Sequence, residues 1–425
     1  MKRILLIAAL SLTGALFVIA QSACAPAAPN ANQNAGVAQQ NAGAAQPIAS
    51  PSAAPDRNFD ELAHRIVTTS ANVQPGEVVV VTGGKHTVPL MEAIAIEAQK
   101  TGALVTMFLE SDKVLRSFNA DVPDKYLEQE PRYFAEWLKQ VDVLITLPGA
   151  SDIKALNEGV SAERLGKINK AGEFMTPMFD AMKFREIDIV YPTEERGKSF
   201  RLDGPTYVKM VWDAMDADYK QISERGNALR QKLVSAKKVH VTSPSGTDVT
   251  FETAGRPVTV NDGVVSADEA KSKKFLDRNV QLPSGSISFA PAEASANGKV
   301  VVPLATCRFE SMTNISFEFK SGKMENLQAG QGKDCFDQLM ATSDGPKDMF
   351  AGFSLGLNPA WKSHTENGAA YFPGPGAGLV FLSIGDNQLL GGSNKTKGNL
   401  GFTFPIANAT VWIDDQKVVE NGNLL

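Results

Sequence analysis

The C-terminal half of this sequence is organised around one stretch, Leu282-Pro-Ser-Gly-Ser-Ile-Ser-Phe-Ala-Pro-Ala-Glu293. Its first four residues predict a tight turn, because proline fixes φ at one corner and Gly285 can take the positive φ of the next. From Ser286 to Ala290 polar and apolar residues alternate, which indicates a short strand. We therefore expect a turn that leads directly into a strand.

Three further glycine-rich corners follow along the chain. They are Gly352-Phe-Ser-Leu-Gly-Leu-Asn-Pro359, Gly376-Ala-Gly-Leu-Val-Phe-Leu-Ser-Ile-Gly385 and Gly391-Gly-Ser-Asn-Lys-Thr-Lys-Gly398. Glycines at strand ends allow a backbone to approach a ligand or a neighbouring strand closely.

Taken in order, these four segments resemble the thermophilic metallo-aminopeptidase family, the aminopeptidase T and aminopeptidase S type. The resemblance is strong from about Val239 onward, where Gly255-Arg256 also matches, and in the N-terminal half it rests mainly on Pro75-Gly-Glu-Val78 and the order of elements. It implies an N-terminal doubly wound α/β domain with a parallel sheet, a strand-rich α+β C-terminal domain, a two-metal site and a homodimer.

The positions at which this family carries metal ligands hold other residues here. The family places a Glu after the first corner, a Glu before the second, a His in the strand of the third and a His-x-Asp beyond the fourth. In this sequence those positions fall on Ser286, Gly352, Phe381, Asn399 and Gly401. A pair of cations needs carboxylates and imidazoles, so the resemblance implies the family's frame without its metal cofactor.

Relocated ligands are the alternative. The chain has four histidines, of which His364 lies among the four corners. Carboxylates that could join it in holding two divalent ions are Glu293, Glu310, Glu366 and Asp386. Glu293 matches a family carboxylate beside the site, and His364 and Glu366 have the i, i+2 spacing that shares one face of a strand. We favour a solvated surface pair as the interpretation of His364 and Glu366.

The N-terminus has the pattern of an export signal over residues 1–24. Lys2-Arg3 precedes the apolar run Ile4 to Ala20, and Gln21-Ser-Ala-Cys24 resembles a bacterial lipobox in which Cys24 is lipidated. Cleavage by an ordinary signal peptidase and a retained membrane anchor are the alternatives. Residues 25–57, rich in Ala, Pro, Asn and Gln, predict a flexible linker. The predicted location is extracytoplasmic, anchored to the membrane in a bacterial periplasm or at the cell surface.

Residues 58–235 alternate strands and helices, which predicts a doubly wound parallel sheet. The expected strands begin at Glu77, Ala103, Val143 and Ile187, and helices are expected over Val88 to Lys100 and Pro205 to Val234. Gly83-Gly84-Lys85 joins a strand to a helix but lacks the spacing of a phosphate-binding loop. We interpret it as a turn.

Residues 236–425 are richer in short strands and tight turns, so we place a domain boundary near residue 236. With Cys24 set aside, Cys307 and Cys335 form an even pair, and in an oxidising compartment a disulfide is expected. Two free buried thiols are the alternative.

The net charge of −5 with 21% charged residues makes nucleic acid a poor partner. The combined prediction is an exported aminopeptidase-like protein without metal catalysis, which binds a peptide or serves as an interaction surface. An active metallo-aminopeptidase and a structural surface or assembly protein are the alternatives.

Overall fold

The computed structural model describes residues 57–173, 176–307, 310–341, 343–397 and 400–425. The export signal with Cys24, the linker up to residue 56 and Asn399 lie outside the described residues. Within them, no helix combines the length and apolar character needed to cross a membrane.

A five-stranded parallel sheet, sheet 1, organises the N-terminal half. Its strands run in the order β2-β1-β3-β4-β8. Their bounds are β1 (Val78–Gly84), β2 (Leu104–Glu110), β3 (Val143–Thr146), β4 (Arg185–Ile189) and β8 (Asn279–Leu282). The predicted doubly wound parallel sheet is thereby confirmed. Parallel strands need crossover connections, and the helices between these strands supply them.

Helices connect these strands. They are α1 (Asp60–Arg65), α2 (Val88–Lys100), α3 (Asp112–Asp121), α4 (Arg132–Leu138), α5 (Ile153–Asn157), α6 (Ala162–Glu173), α7 (Glu194–Ser199), α8 (Gly204–Met215) and α9 (Tyr219–Ser235). α2 has the predicted bounds because its apolar residues, Leu90, Met91, Ile94 and Ala98, recur at helical spacing and are buried.

The prediction of a single long helix from Pro205 to Val234 was wrong. The structure has two helices, α8 and α9, separated at residues 216–218. Asp218 starts the second helix, because its carboxylate accepts a hydrogen bond from the backbone N–H of Gln221 at 3.0 Å. A capping aspartate favours a new helix start over continuation of the old one.

Two antiparallel sheets form the C-terminal half. Sheet 2 has the order β12-β11-β10-β6-β5-β16-β17-β18, and sheet 3 has the order β15-β14-β13-β9-β7. The strands of sheet 2 are β5 (Lys238–Thr242), β6 (Asp248–Glu252), β10 (Asn297–Cys307), β11 (Glu310–Lys320), β12 (Lys323–Gln328), β16 (Thr410–Ile413), β17 (Gln416–Glu420) and β18 (Asn423–Leu424). Those of sheet 3 are β7 (Val258–Asn261), β9 (Ser286–Phe289), β13 (Phe350–Gly356), β14 (Val380–Gly385) and β15 (Gly401–Ile406).

Sheets 2 and 3 pack face to face around an aromatic core. Phe251 of sheet 2 lies 5.7 Å from Phe353 of sheet 3, and Phe317 lies 4.7 Å from Phe404, measured between ring centroids. One further helix, α10 (Lys333–Ala341), covers this core with Phe336, and the structure joins Cys335 of that helix to Cys307 at the end of β10 by a disulfide.

The two halves are joined more closely than a boundary at residue 236 suggests. β8 lies beyond that boundary in sequence yet pairs with β4 in sheet 1. It continues directly into β9 of sheet 3 through the predicted turn, where the Leu282–Pro283 peptide is cis and Gly285 has φ of 122°. The parallel sheet is therefore completed by a strand from the C-terminal half.

Candidate functional site

The positions that we predicted to correspond to the family's metal ligands lie on one face of sheet 3, apart from Asn399, which lies outside the described residues. Strand pairing aligns Ser286 with Gly356, Ser354 with Phe381 and Gly385 with Gly401. Because side chains alternate across a strand, Ser286, Gly352, Phe381 and Gly401 all belong to the same face. The opposite face, with Ile287, Phe353, Leu382 and Phe404, is buried against sheet 2. The structure thus brings these four positions onto the face opposite the one that forms the core with sheet 2.

Hydroxyl side chains dominate this face, which we call the hydroxyl face. All are half-buried, and none has a hydrogen-bond partner among the described residues: Thr259, Ser286, Ser288, Ser354, Ser383 and Thr403. Sequence reasoning selected only Ser286. Ser288 and Thr403 could have been found from the alternation of small polar and apolar residues in Ser-Ile-Ser-Phe289 and Gly-Phe-Thr-Phe404.

Phe381 lies at one side of the hydroxyl face and is 6% exposed. It packs with Phe372 and Leu379, and Leu304 of β10 contacts the same cluster. Phe372 and Leu379, in the segment that precedes β14, cover the Phe381 ring. The open part of the face is therefore the serine-bearing part.

These side chains do not fit a two-metal centre. Serine and threonine hydroxyls carry no charge at neutral pH, and Gly352 and Gly401 have no side chain to offer. A Cβ at Gly352 would lie 2.6 Å from Ser383 Oγ, so the neighbouring hydroxyl already fills that position. Hard divalent cations are held by carboxylate and imidazole groups. On the hydroxyl face the described residues supply neither.

Glu293, the first of the alternative ligands, is occupied by other contacts. Its carboxylate accepts two hydrogen bonds of 2.6 Å from Arg256, one of 2.7 Å from Ser393 N and one of 3.1 Å from Asn387. Burial by itself raises the pKa of Glu293, but these hydrogen bonds outweigh it and hold the pKa well below its usual range. Through these hydrogen bonds Glu293 links the Gly391–Asn394 corner to Arg256, in the loop that leads to sheet 3.

The remaining alternative ligands are not brought together. Asp386 accepts hydrogen bonds from the backbone N–H groups of Gln388 and Thr396, at 3.2 and 2.8 Å. His364 is paired through its backbone with Tyr371 and lines a shallow groove against α8, and Glu366 is exposed. Glu310 opens β11, and its side chain lies outside what the structure describes. Among the described residues, no group of three His, Cys, Asp or Glu side chains is arranged to hold a metal ion.

An α/β half with a five-stranded parallel sheet, joined to a two-sheet sandwich, defines the class of this protein. Residues 55–359 match the family model described as thermophilic metalloprotease (M29). This is well over half of the chain, and the chain belongs to that family. The predicted family resemblance is confirmed. The matched region includes Ser286 and Gly352 and ends before Phe381, Asn399 and Gly401.

One curated relative is aminopeptidase T of Thermus thermophilus. It is 22% identical over 341 residues, which cover 74% of this chain and 81% of the relative. A solved structure of wild-type AmpT from Thermus thermophilus superimposes with a TM-score of 0.68 at 18% identity, covering 88% of this chain and 100% of that one. This match confirms the predicted combination of a parallel α/β sheet with antiparallel sheets.

A second solved structure has the same fold. It is 2,5-dihydroxypyridine dioxygenase from Pseudomonas putida KT2440, with a TM-score of 0.58 and 18% identity, covering 86% of this chain and 96% of that chain. A fold shared by proteins named as an aminopeptidase and as a dioxygenase does not define an activity, which has to be argued from the site.

Proposed function

We propose that this protein is a non-catalytic member of the M29 family that binds peptides at the hydroxyl face of sheet 3. The observation that carries the proposal is the shared face of Ser286, Gly352, Phe381 and Gly401, four family ligand positions without a charged side chain. Loss of ligands at one position could be compensated by a neighbour. When ligands are lost at four positions on one face, that face has no charged side chain left to bind a metal ion.

The chemistry of the hydroxyl face suits a peptide. Each Ser and Thr hydroxyl can donate one hydrogen bond and accept two, which matches the alternating N–H and C=O groups of an extended chain. Neighbouring strands lie about 4.8 Å apart, so Ser288 and Ser354 present their hydroxyls at a spacing that one extended ligand can span. The partly buried positions would shield such bonds from water.

Export and anchoring form the second part of the proposal. The lipobox-like Gln21-Ser-Ala-Cys24 and the charge-poor linker support a body held outside the cytoplasm by a lipid on Cys24. Metabolic labelling with palmitate tests this directly. Label should enter the wild-type protein and be absent from Cys24→Ser, and equal labelling of the two would refute the anchor.

Peptide binding is tested with the purified protein and a fluorescein-labelled mixture of tryptic peptides, measured by fluorescence anisotropy. Ser354→Tyr, which fills the middle of the hydroxyl face, should weaken binding at least tenfold. Ser235→Tyr, the same change at the exposed end of α9, is the matched control and should bind as the wild type does.

Metal loading separates the alternatives. After incubation with zinc, cobalt or manganese, we expect no stoichiometric metal and no release of N-terminal residues from aminoacyl substrates. Two metals per chain with hydrolysis would instead establish an active aminopeptidase with ligands elsewhere. Self-association without peptide binding would favour a structural or assembly protein. A homodimer of the family type would be enough for that role.

A further inference from the structure

Strand β2 forms an open edge of sheet 1. Among the described residues it pairs with β1 on one side and with no strand on the other. Leu104 N donates to Glu77 O at 2.8 Å, so the backbone groups of Leu104 point toward β1. Backbone groups of successive strand residues point to alternate sides. The N–H and C=O groups of Val105, Met107 and Leu109 therefore point away from the sheet and are available to another strand.

Apolar side chains accompany these free backbone groups. Those of β2 itself are Leu104, Met107 and Leu109, which are 63%, 39% and 55% exposed. Phe108 packs against Trp137 of α4, with ring centroids 5.0 Å apart. Tyr133 lies one turn earlier on the same side of that helix and is 48% exposed. Apolar surface of this kind, grouped along one strand, is typical of an interaction site.

The other sheet edges in the described part of the chain have features that discourage pairing. β7 and β8 are four residues long and β18 has two. β12 carries Lys323 and Glu325, and β15 contains Pro405. Short strands, charges and proline are the means by which proteins protect their sheet edges. β2 has seven residues, and residues 104–109 contain neither a charge nor a proline. This edge therefore lacks the protection that the others have.

The composition of the edge favours a second copy of this chain as the partner. Charged groups steer and select foreign partners, and residues 101–109 contain none. For the same reason, two copies can meet here without repulsion between like charges. A twofold interface requires a surface that is complementary to itself. An antiparallel pairing centred on Met107 meets this requirement, because it places Met107 opposite Met107 and Val105 opposite Leu109 of the second copy.

We propose that β2 pairs antiparallel with β2 of a second copy of this chain, which joins the two parallel sheets into one continuous sheet across a twofold axis. The backbone groups of Val105, Met107 and Leu109 then find partners, and the exposed apolar side chains leave water. This edge belongs to the α/β half and shares no residue with the hydroxyl face. The pairing therefore does not depend on peptide binding at that face.

Sedimentation equilibrium of the full protein tests the pairing, with Cys24→Ser present throughout so that no lipid is attached. Met107→Lys and Met107→Glu each place two like charges opposite one another, so each should halve the mass of the wild-type assembly. An equimolar mixture of the two variants should regain the wild-type mass, because Lys then faces Glu. Val234→Lys, at an exposed apolar residue of α9, is the control and should keep the wild-type mass.

Leu109→Lys provides a second test should Met107→Lys fold poorly, which far-UV circular dichroism would reveal. It places a charge opposite Val105 of the second copy and should also halve the mass. A monomeric wild type, an unchanged mass in folded Met107→Lys and Leu109→Lys, or a mixture that stays dissociated would overturn the proposal. A monomeric wild type that binds labelled tryptic peptides, with binding lost in Met107→Lys, would show instead that the edge pairs with a foreign strand.

Discussion

Arg256 holds the carboxylate of Glu293 through two hydrogen bonds of 2.6 Å each. Arg256 lies in the loop between β6 and β7, and Glu293 ends the stretch around which the C-terminal half is organised. The pair connects that stretch to the corner at Ser393, whose N–H and hydroxyl also bind Glu293. Glu293, which we considered as an alternative metal ligand, thus has a structural role.

Removal of Arg256 should destabilise the protein strongly, because Glu293 is 9% exposed and would be left as a buried, uncompensated charge. We expect Arg256→Met to lower the free energy of unfolding by about 3 kcal/mol, measured by urea denaturation at pH 7. The double variant Arg256→Met/Glu293→Gln should recover part of the loss. Arg132→Met, at an exposed ion pair, is the control and should change stability by less than about 0.5 kcal/mol. A small effect of Arg256→Met would show that Glu293 is stabilised mainly by the backbone.

Asn358 should also contribute strongly to the stability of the folded protein. It is fully buried, and its Nδ2 donates to Ala214 O and Ser284 O at 2.9 Å each, which joins α8, the turn before β9 and the second corner. Asn358→Ala should cost about 2–3 kcal/mol, because buried carbonyl groups lose their donor. Chemical denaturation measures this, with exposed Asn423→Ala as a near-neutral control. An equal effect of the two substitutions would contradict the assignment.

Glu110 should make the stability of the protein decrease as pH rises. Burial, with a smaller contribution from Asp112, raises its pKa to about 7. A carboxyl with a raised pKa stabilises the folded state fully below the pKa of the unfolded chain, and this stabilisation is lost as pH rises from about 4.5 to 7. The loss is about 3 kcal/mol, at about 1.4 kcal/mol per pH unit.

Glu110→Gln should therefore flatten the dependence of unfolding free energy on pH and exceed the wild type in stability at pH 8. Asp188, whose pKa burial also raises to about 7, keeps a residual slope in both proteins. Denaturation series from pH 5 to 8 measure the difference. Glu61→Gln should keep the wild-type slope, and an unchanged slope in Glu110→Gln would exclude a buried ionisable Glu110.

The disulfide should stabilise the C-terminal half by restricting the unfolded chain. Cys307 and Cys335 are separated by 28 residues, a loop for which closure contributes about 3 kcal/mol. Cys307→Ala/Cys335→Ala should lower Tm by several degrees, and a reductant should lower the Tm of the wild type to a similar extent. A reductant that changes neither protein would show that the pair does not bridge in solution.

Local features were predictable because nearby residues determine them. Helix α2 was placed correctly from its apolar spacing, and the positive φ of Gly285 followed from the Leu-Pro-Ser-Gly turn. The division of the predicted helix into α8 and α9 was missed, since the Asp218 cap competes with apolar spacing that continues across it. Local signals can favour two outcomes, and packing selects one.

The sequence by itself determined the family and the α/β and strand-rich halves, and it shows that Ser286, Gly352, Phe381 and Gly401 carry no charge. Only the tertiary structure decided that Ser286, Gly352, Phe381 and Gly401 share one face with other hydroxyls, that Glu293 pairs with Arg256, and that β8 completes sheet 1. Turns and helices depend on residues a few positions apart. Strand register and the pairing of buried charges depend on contacts between segments distant in sequence, which no local pattern records.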